Sequence, residues 1–254
     1  MSAADAIEAN IVACYPERGI AGFSRVDSTF LFYSYVNALV SSTSVVLDLG
    51  AGRGAQVETT TPGFKRSLLT LKGRVARLIG ADVDPAVLEN PLLDEAHVIA
   101  PGEALPFDDA SFDLILSDWV AEHVDDPTSF AAEIHRILKP GGWFCARTPN
   151  KFGVIAAGAT LIPNRLHRRV LNLLQPNRKE HDVFPTRYRL NTRAAVRKHF
   201  ARSQWRDHSF LHATEIMYLA RSRTLFALSA ALTKITPNPF LPVLYIFVQK
   251  TSPR

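Results

Sequence analysis

The sequence predicts an α/β fold, a doubly wound and mostly parallel sheet, and three observations carry that expectation. The apolar run Val45-Val46-Leu47 leads into Asp48-Leu49-Gly50-Ala51-Gly52-Arg53-Gly54, an acidic residue followed by three alternating glycines. From residue 44 to 150 strand-like apolar runs alternate with helical patterns, the mark of stacked βαβ units. After Pro149 the alternation stops and then resumes near Thr192, which reads as insertions into a single domain covering residues 1–254.

Each element has its own warrant. A helical segment is expected over residues 1–43. The first strand, Ser44–Leu49, has the β-branched and leucine content of a strand buried on both faces, and Asp48 stands near its carboxyl end, where open α/β sheets place ligands. Gly50, Gly52 and Gly54 let the backbone turn sharply and approach a ligand more closely than a Cβ permits. A helical or loop stretch through Leu71 leads to a second strand, Arg77–Val83. Asp84-Pro85 then starts a short helix, Asp84 as N-cap and Pro85 at the first helical position, where its missing N–H is not needed. His97–Ala100 reads as a third strand, followed by a loop from Pro101 to Phe107, and Phe112–Ser117 as the fourth. A helix from near Pro127 aligns Phe130, Ile134, Ile137 and Leu138 on one face. Pro140-Gly141-Gly142 ends it, and Trp143–Thr148 forms the fifth strand. Residues 151–190 read as an inserted cap. A helix at Thr192–Phe200 and a strand near Gln204–Phe210 restore the pattern, and a second apolar insertion, about 213–241, precedes the last strand, Pro242–Gln249.

Composition narrows the class. With 47% hydrophobic and 21% charged residues the chain has the balance of a globular protein that buries a full core. Two cysteines, Cys14 and Cys145, support neither a disulfide scaffold nor a cysteine-based metal site, and a reducing cytoplasm is expected. The first ten residues lack a basic start and a long apolar core, so no secretory signal is read there, and no uninterrupted apolar run approaches the roughly 18 to 20 residues of a membrane span. The net charge of +5 is unevenly placed: between residues 165 and 206 twelve Lys and Arg face only Glu180 and Asp182. Such a segment attracts an anionic substrate, a membrane surface or nucleic acid, or is simply a solvated helix face.

The spacing Asp48-x-Gly50-x-Gly52-x-Gly54 departs from the GxGxxG dinucleotide fingerprint. It resembles the first motif of the class I S-adenosylmethionine-dependent methyltransferases, in the small-molecule group (type 11) that includes the ubiquinone-biosynthesis enzymes. The resemblance covers roughly residues 44–150 and implies a Rossmann-like, seven-stranded sheet with an inserted helical cap, and S-adenosyl-L-methionine as cofactor. It implies that Asp48, Gly50, Gly52 and Gly54 pass under the amino-acid end of that cofactor. In Ile79-Gly80-Ala81-Asp82-Val83-Asp84 it implies Asp82 as the ribose ligand, with Val83 beside it, since a carboxylate there accepts two hydrogen bonds from the ribose hydroxyls. On the adenine side it points to Gly102 and Glu103. Where the family commonly has Gly-Asp this chain has Ala100-Pro101, so backbone groups must serve. The run Leu116-Ser117-Asp118-Trp119-Val120-Ala121-Glu122-His123-Val124 resembles the segment lining the methyl-donor pocket, which adds Ser117 and Asp118. Trp119 stands where related O-methyltransferases have their first metal-ligating carboxylate, and no metal ligand is assigned.

The expected function is therefore S-adenosylmethionine-dependent methyl transfer, at oxygen, to a small or lipid-linked, anionic acceptor. A hydroxyl acceptor needs its proton removed, and His123 is the candidate base; within an expected helix it serves equally as a packing residue. His181, Arg187 and Tyr188, in the insertion that builds the acceptor pocket in this family, are the candidate substrate contacts, arginine being suited to clamp a phosphate or carboxylate. The apolar segment from Ala213 to Phe247, interleaved with Arg221, Arg223 and Lys234, is either core packing or a lid that lines a greasy pocket or makes peripheral membrane contact. Two other readings stand beside this one. An RNA methyltransferase is favoured by the basic segment but lacks the aromatic residues that base stacking wants. A non-catalytic, methyltransferase-like scaffold would be expected to have lost the glycine loop or the ribose carboxylate, and both are intact.

Overall fold

The β-branched and leucine side chains of β1 (Val45–Leu49) place it in the interior of the sheet in the computed structural model, which describes residues 3–60, 63–153 and 185–252. It pairs in parallel with β2 (Arg77–Asp82) on one side and β4 (Phe112–Asp118) on the other. β3 (Glu95–Val98) extends the sheet beyond β2 and β5 (Leu138–Pro149) beyond β4, both in parallel. With β6 (Trp205–Asp207), β7 (Phe210–His212) and β8 (Val243–Lys250), the order is β3-β2-β1-β4-β5-β8-β6, and β7 also pairs with β8. β6 runs antiparallel to β8.

Among the described residues the sheet thus has eight strands, not seven. The extra one arises where one strand was expected near 204–210. Asp207 accepts the Ser209 N–H through Oδ1 at 2.8 Å, and the Ser209 hydroxyl accepts the Phe247 N–H at 3.2 Å, so a side-chain-bonded turn splits the run into β6 and β7 along the same partner. The fifth strand also differs from expectation. It begins at Leu138, five residues before Trp143, because Lys-Pro-Gly-Gly is a bulge within the strand rather than a stop: Phe112 pairs with Leu138 and Leu114 with Trp143. Gly142 is held so tightly that a Cβ there would lie 2.9 Å from the Lys139 carbonyl oxygen and 3.0 Å from that of Asp113, the close backbone approach that bulged strands reserve for glycine.

Among the described residues the α-helices are α1 (Ala3–Cys14), α2 (Arg18–Ala21), α3 (Ser28–Leu39), α4 (Ala55–Thr59), α5 (Phe64–Leu69), α6 (Pro127–Ile137), α7 (Arg193–His199) and α8 (Arg223–Ile235). α6 starts as its sequence demands. Asp126 accepts the Thr128 and Ser129 N–H groups, Pro127 occupies the first turn, and Ala131, Ile134 and Ile137 turn inward. The segment around His123 is not a continuous helix but a single 3-10 turn, Ala121–His123, followed by extended backbone.

The described residues of Met1–Leu31, Asn150–Pro185 and Leu211–Val243 group into one compact unit, and those of Phe32–Pro149, Thr186–Phe210 and Leu244–Arg254 into another. The second holds the sheet and its core of fully buried residues such as Val46, Leu47, Ile115, Phe144 and Tyr245. In the first, Ile11, Tyr15, Ala220, Phe226 and Ala230 form a separate core.

Candidate active site

The strand order reverses direction between β1 and β4, and ligands of open α/β sheets bind outside the carboxyl ends of the strands at such a point. The glycine loop leaves β1 there. Gly50, Gly52 and Gly54 all have positive φ, 86°, 49° and 78°, in the left-handed region open to glycine. Two of the three are packed against protein: a Cβ on Gly50 would lie 2.1 Å from Val120 Cγ2, and one on Gly54 would lie 2.7 Å from Asn90 Oδ1. Gly52 has nothing within 4 Å of that position. Its backbone is nevertheless fixed. The Gly52 N–H donates to Asp82 Oδ2 at 2.8 Å, and Asn90 Nδ2 donates to the carbonyls of Gly52 and Ala51 at 3.0 and 3.2 Å. A rigid loop with one bare side is a cradle that a Cβ would fill.

Asp82 ends β2, and its other oxygen accepts the Asp84 N–H at 2.9 Å. Each carboxylate oxygen keeps a further lone pair, so the group is oriented without being exhausted. Asp84 in turn caps the 3-10 turn Pro85–Glu89, and Val83 is half-buried between them. Burial, and after it the charges of Asp118 and Asp82, push Asp48 up to about 7. The carboxylates of Asp48 and Asp82 at the ends of β1 and β2 disfavour further negative charge and favour a cation. S-adenosylmethionine, with a sulfonium, an ammonium and two ribose hydroxyls, has the chemistry that such a donor set and cradle fit. Among the described residues, no group of three or more His, Cys, Asp or Glu side chains could hold a metal ion.

At the end of β4, Asp118 is committed to a partner that sequence reasoning missed. Arg147, 1% exposed on β5, donates through Nε to Asp118 Oδ1 and through a terminal nitrogen to Oδ2, both at 2.7 Å. This bidentate pair receives a third contact from the Tyr33 hydroxyl at 3.4 Å, and burial and the Asp118 charge hold the Tyr33 phenol well above its ordinary range. The guanidinium lies 5.0 Å from the Trp119 ring centroid and 5.6 Å from that of Phe32. Trp119 itself has φ of 60° and is 39% exposed, its N–H donating to the Arg147 carbonyl at 2.8 Å. A non-glycine residue held in the left-handed region is a local strain that the surrounding contacts impose. The signal for Arg147 was an arginine closing the apolar run Trp143-Phe144-Cys145-Ala146.

A second buried network starts at the next residue of β5. Thr148 Oγ1 donates to Glu122 Oε2 at 2.9 Å, and Asn191 Nδ2 donates to Thr148 Oγ1 at 2.7 Å and to the Pro149 carbonyl at 2.9 Å. Burial raises the Glu122 carboxyl, opposed by its hydrogen bonds. The Glu122 carbonyl accepts the N–H groups of Arg187 and Tyr188 at 2.7 and 3.2 Å. Two candidate acceptor contacts are thereby fastened beside the half-buried His123, and Arg187 also meets Asp125 at 3.5 Å. His181 lies outside the described residues.

On the adenine side, Ala100-Pro101-Gly102-Glu103 forms a tight turn closed by the Glu103 N–H on the Ala100 carbonyl at 3.4 Å, with Gly102 at φ of 79°. Proline followed by a positive-φ glycine is the signature of a type II turn, which is what Ala100-Pro101 builds in place of the family's Gly-Asp. Gly102 and Glu103 are exposed. Just beyond, Glu133 accepts the Leu105 N–H at 2.7 Å and Arg136 donates to the carbonyls of Leu105 and Phe107, pinning the loop to α6. Ser117 is fully buried in β4, its hydroxyl without a hydrogen-bond partner among the described residues.

Comparison with known proteins agrees with this geometry. Residues 47–146 match the methyltransferase domain family. A protein of Mycolicibacterium smegmatis named "Probable S-adenosylmethionine-dependent methyltransferase" is 33% identical over 127 residues, 48% of each chain. The malonyl-[acyl-carrier protein] O-methyltransferase of Hahella chejuensis is 31% identical over 102 residues, 38% of this chain and 33% of that protein. The chain therefore spans about half or less of the length of these curated relatives. A Haloferax volcanii structure of a complex with a methyltransferase activator shares the fold, with a TM-score of 0.56 at 19% identity over 100% of this chain and 99% of that one. Residues 47–146 are thus similar to the methyltransferase domain of S-adenosylmethionine-dependent enzymes, which supports S-adenosylmethionine as the cofactor.

Proposed function

We propose that this chain methylates a small or lipid-linked, anionic acceptor at oxygen, with S-adenosylmethionine as the donor. The observation that carries the reading is the bare side of Gly52, whose N–H is held by the Asp82 carboxylate, at the end of the strand that carries the buried Asp48. When bound, the cofactor supplies a methyl group on a sulfonium for in-line displacement, so the protein chiefly positions the acceptor and excludes water. Asp82 would accept hydrogen bonds from the ribose hydroxyls, and the glycine loop would hold the amino-acid end. Gly102 and Glu103 would offer the adenine side their backbone, and Val83, Ser117 and Asp118 would complete the strand ends around the donor. His123 takes the acceptor proton. Arg187 and Tyr188, fastened to the Glu122 carbonyl, stand with His181 as the acceptor contacts, and the name of the Hahella chejuensis relative supports an oxygen acceptor.

The test is transfer of labelled methyl from S-adenosylmethionine into separate lipid, water-soluble metabolite and RNA fractions. We expect label in the lipid or anionic metabolite fraction, placed on oxygen by NMR of the product. We expect His123→Gln to slow transfer by about 10²-fold or more, as for loss of a general base, with cofactor binding retained. Label confined to RNA would support the RNA reading, and no transfer by a protein that binds the cofactor would support a scaffold.

A further inference from the structure

α8 has two unlike faces. Phe226, Ser229 and Ala230 turn inward, toward a core that includes Ile11 and Tyr15 of α1, where the Tyr15 and Phe226 rings meet edge to face at 6.1 Å. Leu225, Leu228, Leu232 and Ile235, spaced by three, four and three residues, form a stripe on the other side and remain 51%, 62%, 46% and 76% exposed. Met217 and Tyr218 before the helix and Phe240 after it are exposed as well. Half of the fourteen exposed large hydrophobic side chains among the described residues thus come from residues 217–240. Scattered apolar residues on a surface mean little, whereas a contiguous set marks an interaction site.

The charges of residues 216–242 name the kind of partner. From Ile216 to Pro242 there is no Asp or Glu, while Arg221, Arg223 and Lys234 are all exposed. A second copy of the chain would bring the same cations against each other across a two-fold contact. An anionic bilayer instead meets every feature at once: the acyl boundary takes the leucine and isoleucine stripe, Tyr218 and Phe240 suit the interfacial layer, and the cations reach the head groups. We propose that this face of α8 docks on an anionic lipid surface. The inference stands apart from the methyl-transfer reading, since none of these residues belongs to the cofactor site.

The test is co-sedimentation of the full chain with phosphatidylcholine vesicles, with and without phosphatidylglycerol. We expect retention on the phosphatidylglycerol vesicles that weakens as salt rises. Leu228→Glu combined with Leu232→Glu should lower it about tenfold or more by placing charge in the acyl boundary. Arg223→Gln combined with Lys234→Gln should lower it by about thirtyfold, at roughly a few-fold to tenfold per lost cation near an anionic surface. All four positions are exposed, and thermal unfolding and cofactor binding like wild type identify variants that remain folded. Equal retention with and without phosphatidylglycerol, or variants that sediment like wild type, would overturn the proposal. So would a dimer in light scattering that Leu228→Glu dissociates, which would make the stripe a seam between copies.

Discussion

Arg147 shows how much a single side chain decides. Its guanidinium is enclosed, bidentate on Asp118, and flanked by the Trp119 and Phe32 rings, so its removal leaves a carboxylate with no counter-charge beside Asp48. Arg147→Met should cost about 3–5 kcal/mol, the range for breaking one side of a buried ion pair, measured by denaturant unfolding; a loss under about 1 kcal/mol would contradict this placement. Asp48 gives a pH dependence. Its carboxyl titrates near 7 in the fold against about 3.9 unfolded. Below pH ~4 both states are protonated. From there to about 7 the unfolded chain ionises while the fold holds its proton, so Asp48 withdraws stability as pH rises through that window. A bound cation favours the ionised form, so S-adenosylmethionine affinity should rise about tenfold from pH 6 to 8, with proton release, and Asp48→Asn should flatten the curve in calorimetry. The acidic residues at the strand ends were legible in the sequence because a carboxylate that closes an apolar run stands out from it. Arg147 was not, since the resemblance places Asp118 at the cofactor and offers it no protein partner.

At the scale of elements, the strand-turn-helix punctuation read well wherever a local rule acted alone. Asp84 caps the 3-10 turn that begins at Pro85, and Asp126 caps α6, while the glycine loop sits between β1 and α4. Pairing partners were harder to read. β3 is polar because Glu95 pairs with Arg77 and His97, and its span, Glu95–Val98, lies two residues before the expected His97–Ala100. The glycines before Trp143 look like a stop but are a bulge, a distinction set by the neighbouring strand β4. Asn90 gave no signal, yet it closes the glycine loop through two carbonyls. Asn90→Ala should weaken cofactor binding about tenfold, the effect of losing one or two net hydrogen bonds of about 1 kcal/mol each. An unchanged dissociation constant would mean that the loop holds its shape without the clamp.

At the scale of the whole chain, the alternation from residue 44 to 150 was enough to give the parallel sheet. The strand order at the β8 side was not, since β6 and β7 owe their break to the Asp207 and Ser209 side chains rather than to any apolar period. The buried network of Glu122, Thr148 and Asn191 was the least legible, because these are polar residues far apart in sequence that only the fold joins. The most direct measurement is calorimetry of S-adenosylmethionine with wild type and with Gly52→Val. We expect one cofactor per chain for wild type. The variant should stay folded, at about 1–2 kcal/mol for a left-handed β-branched residue, and fail to bind, because its side chain fills the one open side of the loop. Absence of binding by wild type, or equal binding by folded Gly52→Val, would contradict the assignment of this loop as the cofactor cradle.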